Sequence, residues 1–197
     1  MTVVCLGDST TAGTPLFKSP VEAPPNGEGD QRSQFPYWLR QAHPEWRVHN
    51  CGVNGERTDQ IAARFDRDVL QHQPAVVVII AGVNDVYQNL AADLVTAQLA
   101  AMYDRAAAAN IPVVAGTIVP YNTATPDQNA RMHAVNDWIT AQRGVRSRFA
   151  VVDTRAAVAD SADADRLAGS PDGLHPDIDG YRRMADALAP AVAGALR

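Results

Sequence analysis

From Ala75 to Ala81 the chain reads Ala-Val-Val-Val-Ile-Ile-Ala, with five β-branched residues in succession and no polar side chain. A strand with one face in water alternates polar and apolar residues. A strand without alternation is covered on both faces, which is the habit of parallel sheets flanked by helices. The run is far shorter than the roughly 20 apolar residues of a membrane span. It therefore requires a buried strand, and a parallel strand requires a crossover on each side of it.

The rest of the chain supplies those crossovers. Short apolar stretches at Thr2–Leu6, Trp46–Asn50, Ile111–Thr117 and Phe149–Val152 read as further strands. Between them lie helical patterns. Gln34–Ala42 places Phe35, Trp38 and Leu39 on one face; Thr58–Leu70 carries Ile61, Phe65 and Leu70, with Thr58 as the expected N-cap. Asn89–Ala109 is rich in alanine, with Leu94, Leu99, Met102 and Tyr103 expected inward. Asp127–Arg143, with Asp127 in its first turn, and Asp177–Leu196 complete the set. Five strands alternating with helices predict an α/β fold, a three-layer sandwich around a five-stranded parallel sheet with right-handed crossovers.

At 197 residues the chain has the size of a single domain, 1–197. A hydrophobic fraction of 46% is enough for a core without metal or disulfide. The net charge of −5 argues against nucleic acid as a partner, and no stretch suits membrane insertion. The start of the chain enters a strand directly, without a basic segment and an apolar leader. It reads as cytoplasmic, and a trimmed secreted form would read the same. Cys5 and Cys51 are expected as buried free thiols, a single disulfide being the other possibility. Thr14–Ser33, with four prolines, is long for a loop in a compact domain and is expected to act as a lid or rim. Oligomeric state leaves no mark on the sequence.

Ligands of open parallel sheets bind beyond the carboxyl ends of the strands. Four polar segments fall there. Gly7-Asp8-Ser9-Thr10 follows the first strand and holds a serine at the sheet edge. Asn50–Thr58, with Gly52 and Gly55, follows the second and opens a helix, where backbone N–H groups favour negative charge. Ala81-Gly82-Val83-Asn84-Asp85 follows the third and offers an amide; Asp85 reads as a turn acid. Asp172-Gly173-Leu174-His175 precedes the last helix. A serine hydroxyl is a poor nucleophile unless an imidazole takes its proton and a carboxylate fixes the imidazole's tautomer. His175 has such a carboxylate three residues upstream; His43, His49, His72 and His133 lack a comparable short-range partner and read as structural or surface residues. Taken singly, each segment also has an ordinary reading as turn or capping chemistry.

Their order is more informative. From Val3 to about Met184 the chain resembles the SGNH hydrolases, or GDSL-type esterases and lipases, a flavodoxin-like α/β family. The resemblance implies Ser9 as nucleophile, with Asp172 and His175 completing a triad. It implies an oxyanion hole made by the N–H of Ser9, the N–H of Gly55 (Gly52 matching less well) and the Asn84 amide. Thr10 stands where the G-D-S-L pattern has leucine. The implied reaction is hydrolysis of a small-molecule ester through an acyl-enzyme, with no cofactor and no metal. Phe17, Tyr87 and Tyr121, together with Val86, Val119 and Pro120, are expected to line a small apolar acyl site suited to short acyl groups on an alcohol or sugar. Longer-chain thioesterase or lysophospholipase activity is the alternative. A catalytically silent α/β binding module is the alternative of another class. A flavin or redox module has no G-x-G-x-x-G loop to support it.

Overall fold

A computed structural model describes all 197 residues. In chain order its strands are β1 (Thr2–Gly7), β2 (Phe17–Lys18), β3 (Glu28–Gly29), β4 (Arg47–Gly52), β5 (Val76–Ile80), β6 (Val113–Gly116) and β7 (Phe149–Val152). The α-helices are α1 (Ser9–Ala12), α2 (Phe35–Ala42), α3 (Thr58–Ala63), α4 (Phe65–Asp68), α5 (Val83–Tyr87), α6 (Ala92–Ala108), α7 (Pro126–Ala141), α8 (Thr154–Val158) and α9 (Ile178–Ala195). Five strands form one parallel sheet in the order β4-β1-β5-β6-β7, and β2 pairs with β3 as a separate antiparallel ribbon. Numbered among the five alone, the order is 2-1-3-4-5, the doubly wound flavodoxin-like arrangement.

Val76–Ile80 of the apolar run form β5 at the centre of that sheet, each of the five buried, while Ala75 before them is exposed. Alternate side chains serve opposite faces. Val77 and Ile79 pack with Ile61, Phe65, Leu99, Met102 and Ile139, from α3, α4, α6 and α7. Val76, Val78 and Ile80 pack with Phe35, Leu39, Met184 and Leu188, from α2 and α9. Both cysteines are free and buried, and they cannot meet. Cys51 lies opposite Leu6 in the β1–β4 register, and Leu6 faces away from Cys5.

Several elements depart from expectation. The helix expected over Thr58–Leu70 breaks at Arg64 into α3 and α4. Thr58 is not its N-cap but its first helical residue. The alanine-rich helix begins at Ala92, because Asn89 takes a left-handed conformation (φ 63°) and closes the preceding turn. Its inward face is Val95, Leu99, Met102, Tyr103 and Ala106, which leaves Leu94 one position out of phase and 57% exposed.

The rim segment is pinned rather than loose. Ser19 Oγ donates to Gly52 O at 2.5 Å, Ser33 Oγ to Gly13 O at 3.0 Å, and Tyr181 OH to Thr14 O at 2.9 Å. Glu22 accepts the Asn54 N–H at 2.9 Å, tying the segment to the loop after β4. Phe17, expected in the acyl site, is 4% exposed: the β2–β3 ribbon folds back so that its ring lies against Gly27.

Ile79 touches the helices that brace the sheet edge, so its truncation tests the fold apart from the chemistry. Ile79→Ala is expected to lower the unfolding free energy by about 2–5 kcal/mol in denaturant titration, with turnover per folded molecule unchanged.

Candidate active site

β1 is flanked by β4 and β5, and the chain leaves it first to one side and then to the other. That reversal opens a crevice at the strands' carboxyl ends. A cavity of about 160 Å3 lies there, lined by Ser9, Thr10, Asn54, Val83, Asn84, Tyr87, Tyr121, Leu174 and His175. Each of the four motif segments contributes to it.

Ser9 opens α1 directly after β1. Asp8 caps that helix, its Oδ1 accepting the Thr10 N–H at 2.9 Å. The Ser9 N–H, at the first helical position, has no acceptor within the helix and is available to a ligand. Gly7 allows this turn its closeness: a Cβ there would strike Ile80 O and the Thr11 side chain. Gly52 has the same role on β4, where a Cβ would meet the backbone of Ala12, and its N–H is taken by Asn50 Oδ1 at 2.9 Å. Gly55 is different. It sits in a turn closed by Glu56 N–H to Val53 O at 3.5 Å, with φ 78°, and nothing lies within 4 Å of where its Cβ would be. The Gly52 N–H is thus taken, whereas Gly55 lies exposed next to the cavity-lining Asn54 and is not itself part of the lining.

Asn84 joins this turn from the other side of β1. Its Nδ2 donates to Glu56 O at 2.9 Å. An amide nitrogen carries two hydrogens, so one fixes the group while the other remains for a ligand. Asp85 adds two links. Its carboxylate accepts the Thr58 N–H at 2.9 Å and the Thr58 hydroxyl at 2.6 Å. The turn acid expected at Asp85 therefore locks the loop after β5 to the helix after β4.

The Asp172–His175 turn is set by its own carboxylate. Asp172 Oδ1 accepts the N–H groups of Leu174 and His175, each at 2.9 Å, and Oδ2 faces His175 Nδ1 at 2.7 Å. Gly173 supplies the left-handed bend (φ 78°). Burial alone would raise the Asp172 carboxyl, but the hydrogen bonds from His175 and Leu174 outweigh it and hold the group below the usual carboxylate range. An ionised Asp172 only accepts, so Nδ1 carries a proton, and in the neutral imidazole Nε2 is then the acceptor. Ser170 and Asn122, which carried no signal in the sequence, brace the turn. Ser170 Oγ accepts the Gly173 N–H at 2.8 Å and donates to His175 O at 2.6 Å; Asn122 N–H donates to Gly173 O at 2.7 Å.

Among the expected lining residues, Tyr87 and Tyr121 reach the cavity with ring centroids 5.7 Å apart. Tyr87 is 52% exposed at its mouth and Tyr121 is buried at its wall. Phe17 does not reach it, nor does any other residue of 14–33 line it. Val86 and Val119 belong to the two cores, and Pro120 is buried outside the cavity lining. Val83 and Leu174, inside the motifs themselves, line it instead. Among the other histidines, two have carboxylate partners after all, His43 with Glu45 at 3.2 Å and His133 with Asp165 at 2.8 Å, but neither lines this cavity. No group of three or more His, Cys, Asp or Glu has a metal-binding arrangement, and no helix is long and apolar enough to cross a membrane.

A family model described as GDSL-like lipase/acylhydrolase matches residues 5–183. The chain belongs to the GDSL-like lipase/acylhydrolase family. No protein of curated function matches its sequence significantly. Solved GDSL-type structures resemble it in fold. A lipase/acylhydrolase from Enterococcus faecalis is 21% identical with TM-score 0.76, over 100% of this chain and 97% of the other. A GDSL-like lipase from Bacteroides thetaiotaomicron is 24% identical with TM-score 0.74, over 99% and 89%. A mutant of an acetyl-xylooligosaccharide esterase from Geobacillus stearmophilus is 21% identical with TM-score 0.70, over 97% and 93%. The GDSL-like hydrolase assignment thus rests on the family match, and these structures support the α/β fold.

The residue before Ser9 generates a test. Burial pushes the Asp8 carboxyl up to about 7; the Thr10 hydrogen bond opposes the rise and the Asp85 carboxylate adds to it. Between the ordinary aspartate value of 3.8 and about 7, folded Asp8 holds a proton that the unfolded chain has released. The stability it contributes is therefore present at low pH and is lost as pH rises to neutrality. Denaturation at about pH 5 and about pH 8 should show a smaller loss of stability in Asp8→Asn than in the parent protein.

Proposed function

We propose that this hydrolase is a serine esterase acting on carboxylic esters of short acyl chains, acetyl or similar, carried on an alcohol or sugar. The observation that carries the reading is the Asp172–His175 pair at 2.7 Å, with the imidazole facing a cavity shared with Ser9 and Asn84. Ser9 Oγ attacks the ester carbonyl while His175 Nε2 takes its proton, and Asp172 stabilises the imidazolium. The N–H groups of Ser9 and Gly55 and the free hydrogen of the Asn84 amide receive the developing oxyanion. His175 then protonates the leaving alcohol. In the second half it takes a proton from water, which attacks the acyl-enzyme and returns Ser9.

Size supports the short acyl group. A cavity of about 150 Å3 takes a benzene-sized group, and the volume here is about 160 Å3. Tyr87 and Tyr121 form one wall, so a long chain would have to lie outside it. An esterase for acetylated xylooligosaccharides shares the fold, which accords with an acetylated sugar as substrate.

Hydrolysis across p-nitrophenyl acetate, butyrate and octanoate, acetylated sugars and acyl thioesters tests the reading. Acetyl esters should be favoured and octanoate poor; a preference for octanoyl esters or thioesters would overturn the acyl-length assignment. Ser9→Ala should abolish both turnover and labelling by a fluorophosphonate, and substantial residual turnover would overturn the esterase itself. Asn84→Ala should cost on the order of 10²–10³ in kcat, since its amide is asked to meet the oxyanion; a loss in KM alone would make it a substrate-positioning residue.

A further inference from the structure

We propose that Arg64 is the positioning residue of the oxyanion hole: one buried guanidinium that ties the frames of all three donors together. This role rests on the esterase reading above. Arg64 stands at the break between α3 and α4, and its side chain is turned inward beneath the strand ends. Nη2 donates to Gly7 O at 2.7 Å, two residues before Ser9. Nη1 donates to Cys51 O at 2.7 Å, near the end of β4, and to Asp68 Oδ2 at 2.6 Å. Nε donates to Glu56 Oε2 at 2.6 Å.

Glu56 is where this network reaches the site. It follows Gly55 directly, and its own carbonyl accepts the Asn84 amide at 2.9 Å. Gly7 O accepts the Val53 N–H at 3.2 Å as well as the guanidinium, so the start of the Val53–Glu56 turn is held from the same point. The Ser9 turn, the Gly55 turn and the Asn84 amide thus share one rigid fork. Stability alone is a poor account of such a residue. Apolar groups of similar volume often replace a buried ion pair without loss. What only arginine supplies is a planar set of donors in fixed directions, here aimed at two strand-end carbonyls and two carboxylates. Asp68 serves the fork in turn. Burial would raise its carboxyl, but the hydrogen bonds from Arg67 and Arg64 hold it low and charged.

Arg64 makes no hydrogen bond to Asp172 or His175. The proposal therefore separates the oxyanion side of the site from the proton-transfer side. Arg64→Lys, Arg64→Met and Glu56→Ala are compared with the parent protein on an acetyl ester, with fluorophosphonate titration counting competent sites. Small misplacement at a distance can cost about 10²-fold; kcat per site should fall by about tenfold to 10²-fold, with KM within about twofold and the acid limb of the pH profile unmoved. Lysine should not rescue, since it keeps the charge without the fork.

Folded variants with parental kcat, or with the loss carried by KM or by a shifted acid limb, would overturn the role. Should the Arg64 variants fail to fold, Glu56→Ala decides alone: that side chain is 21% exposed, and the change removes the acceptor of Nε while leaving the guanidinium its other partners and the Glu56 carbonyl its bond to Asn84. An inert parent protein, unlabelled at Ser9, would overturn the esterase reading and this role with it. An active parent with indifferent variants would overturn only the role.

Discussion

β1 is hydrogen-bonded along both edges, to β4 and to β5, and the polar groups of the cavity take their positions from it. In register, Gly7 stands beside Gly52 on one side and Ile80 on the other, so the three strands end at nearly the same level. The loops that leave them carry Ser9, the Gly55 turn and Asn84. A slip of one residue in either pairing would turn the apolar side chains of β1 to the wrong face. Two separate cores hold against that slip, so the packing that stabilises the sheet also sets the spacing of the site.

Above the sheet the donors are fixed by cross-links rather than by contact with a substrate. Thr58 is bonded to Asp85, Asn84 to Glu56, and Glu56 to Arg64. Oxyanion stabilisation depends on donors that need not reorganise when charge appears. Under the esterase reading proposed above, this lattice of bonds holds the donors in place before any ligand arrives. The rim segment enters the same lattice through Glu22 and Ser19, which hold the backbone at Asn54 and Gly52.

The parts that were legible in the sequence are those governed by local rules. An unbroken β-branched run reads as a doubly covered strand, and the motifs at the strand ends pointed to Ser9, Asn84 and His175, which line one cavity, and to Asp172, which faces His175. What was not legible depends on partners far along the chain. Arg64 looks like a solvated helix residue until α3 and α4 separate around it. Phe17 looks like a binding aromatic until the ribbon folds over it. Asn122 gives no hint that it braces Gly173, because the contact spans the loop after β6 and the turn before α9. Leu94 and Val95 differ by one position on a helix rich in alanine, where apolar periodicity is too shallow to tell them apart.

The four-residue turn from Asp172 to His175 contains both the carboxylate and the imidazole, and the glycine that bends them together. Acid and imidazole thus meet by short-range geometry, whereas Ser9 reaches them only through the completed tertiary structure. The two halves of the site are accordingly set differently: one lies within a single turn that Asn122 braces from afar, and the other is placed by the sheet. Under the esterase reading proposed above, the Asp172–His175 pair has no use until the sheet has formed and brought Ser9 to the same cavity.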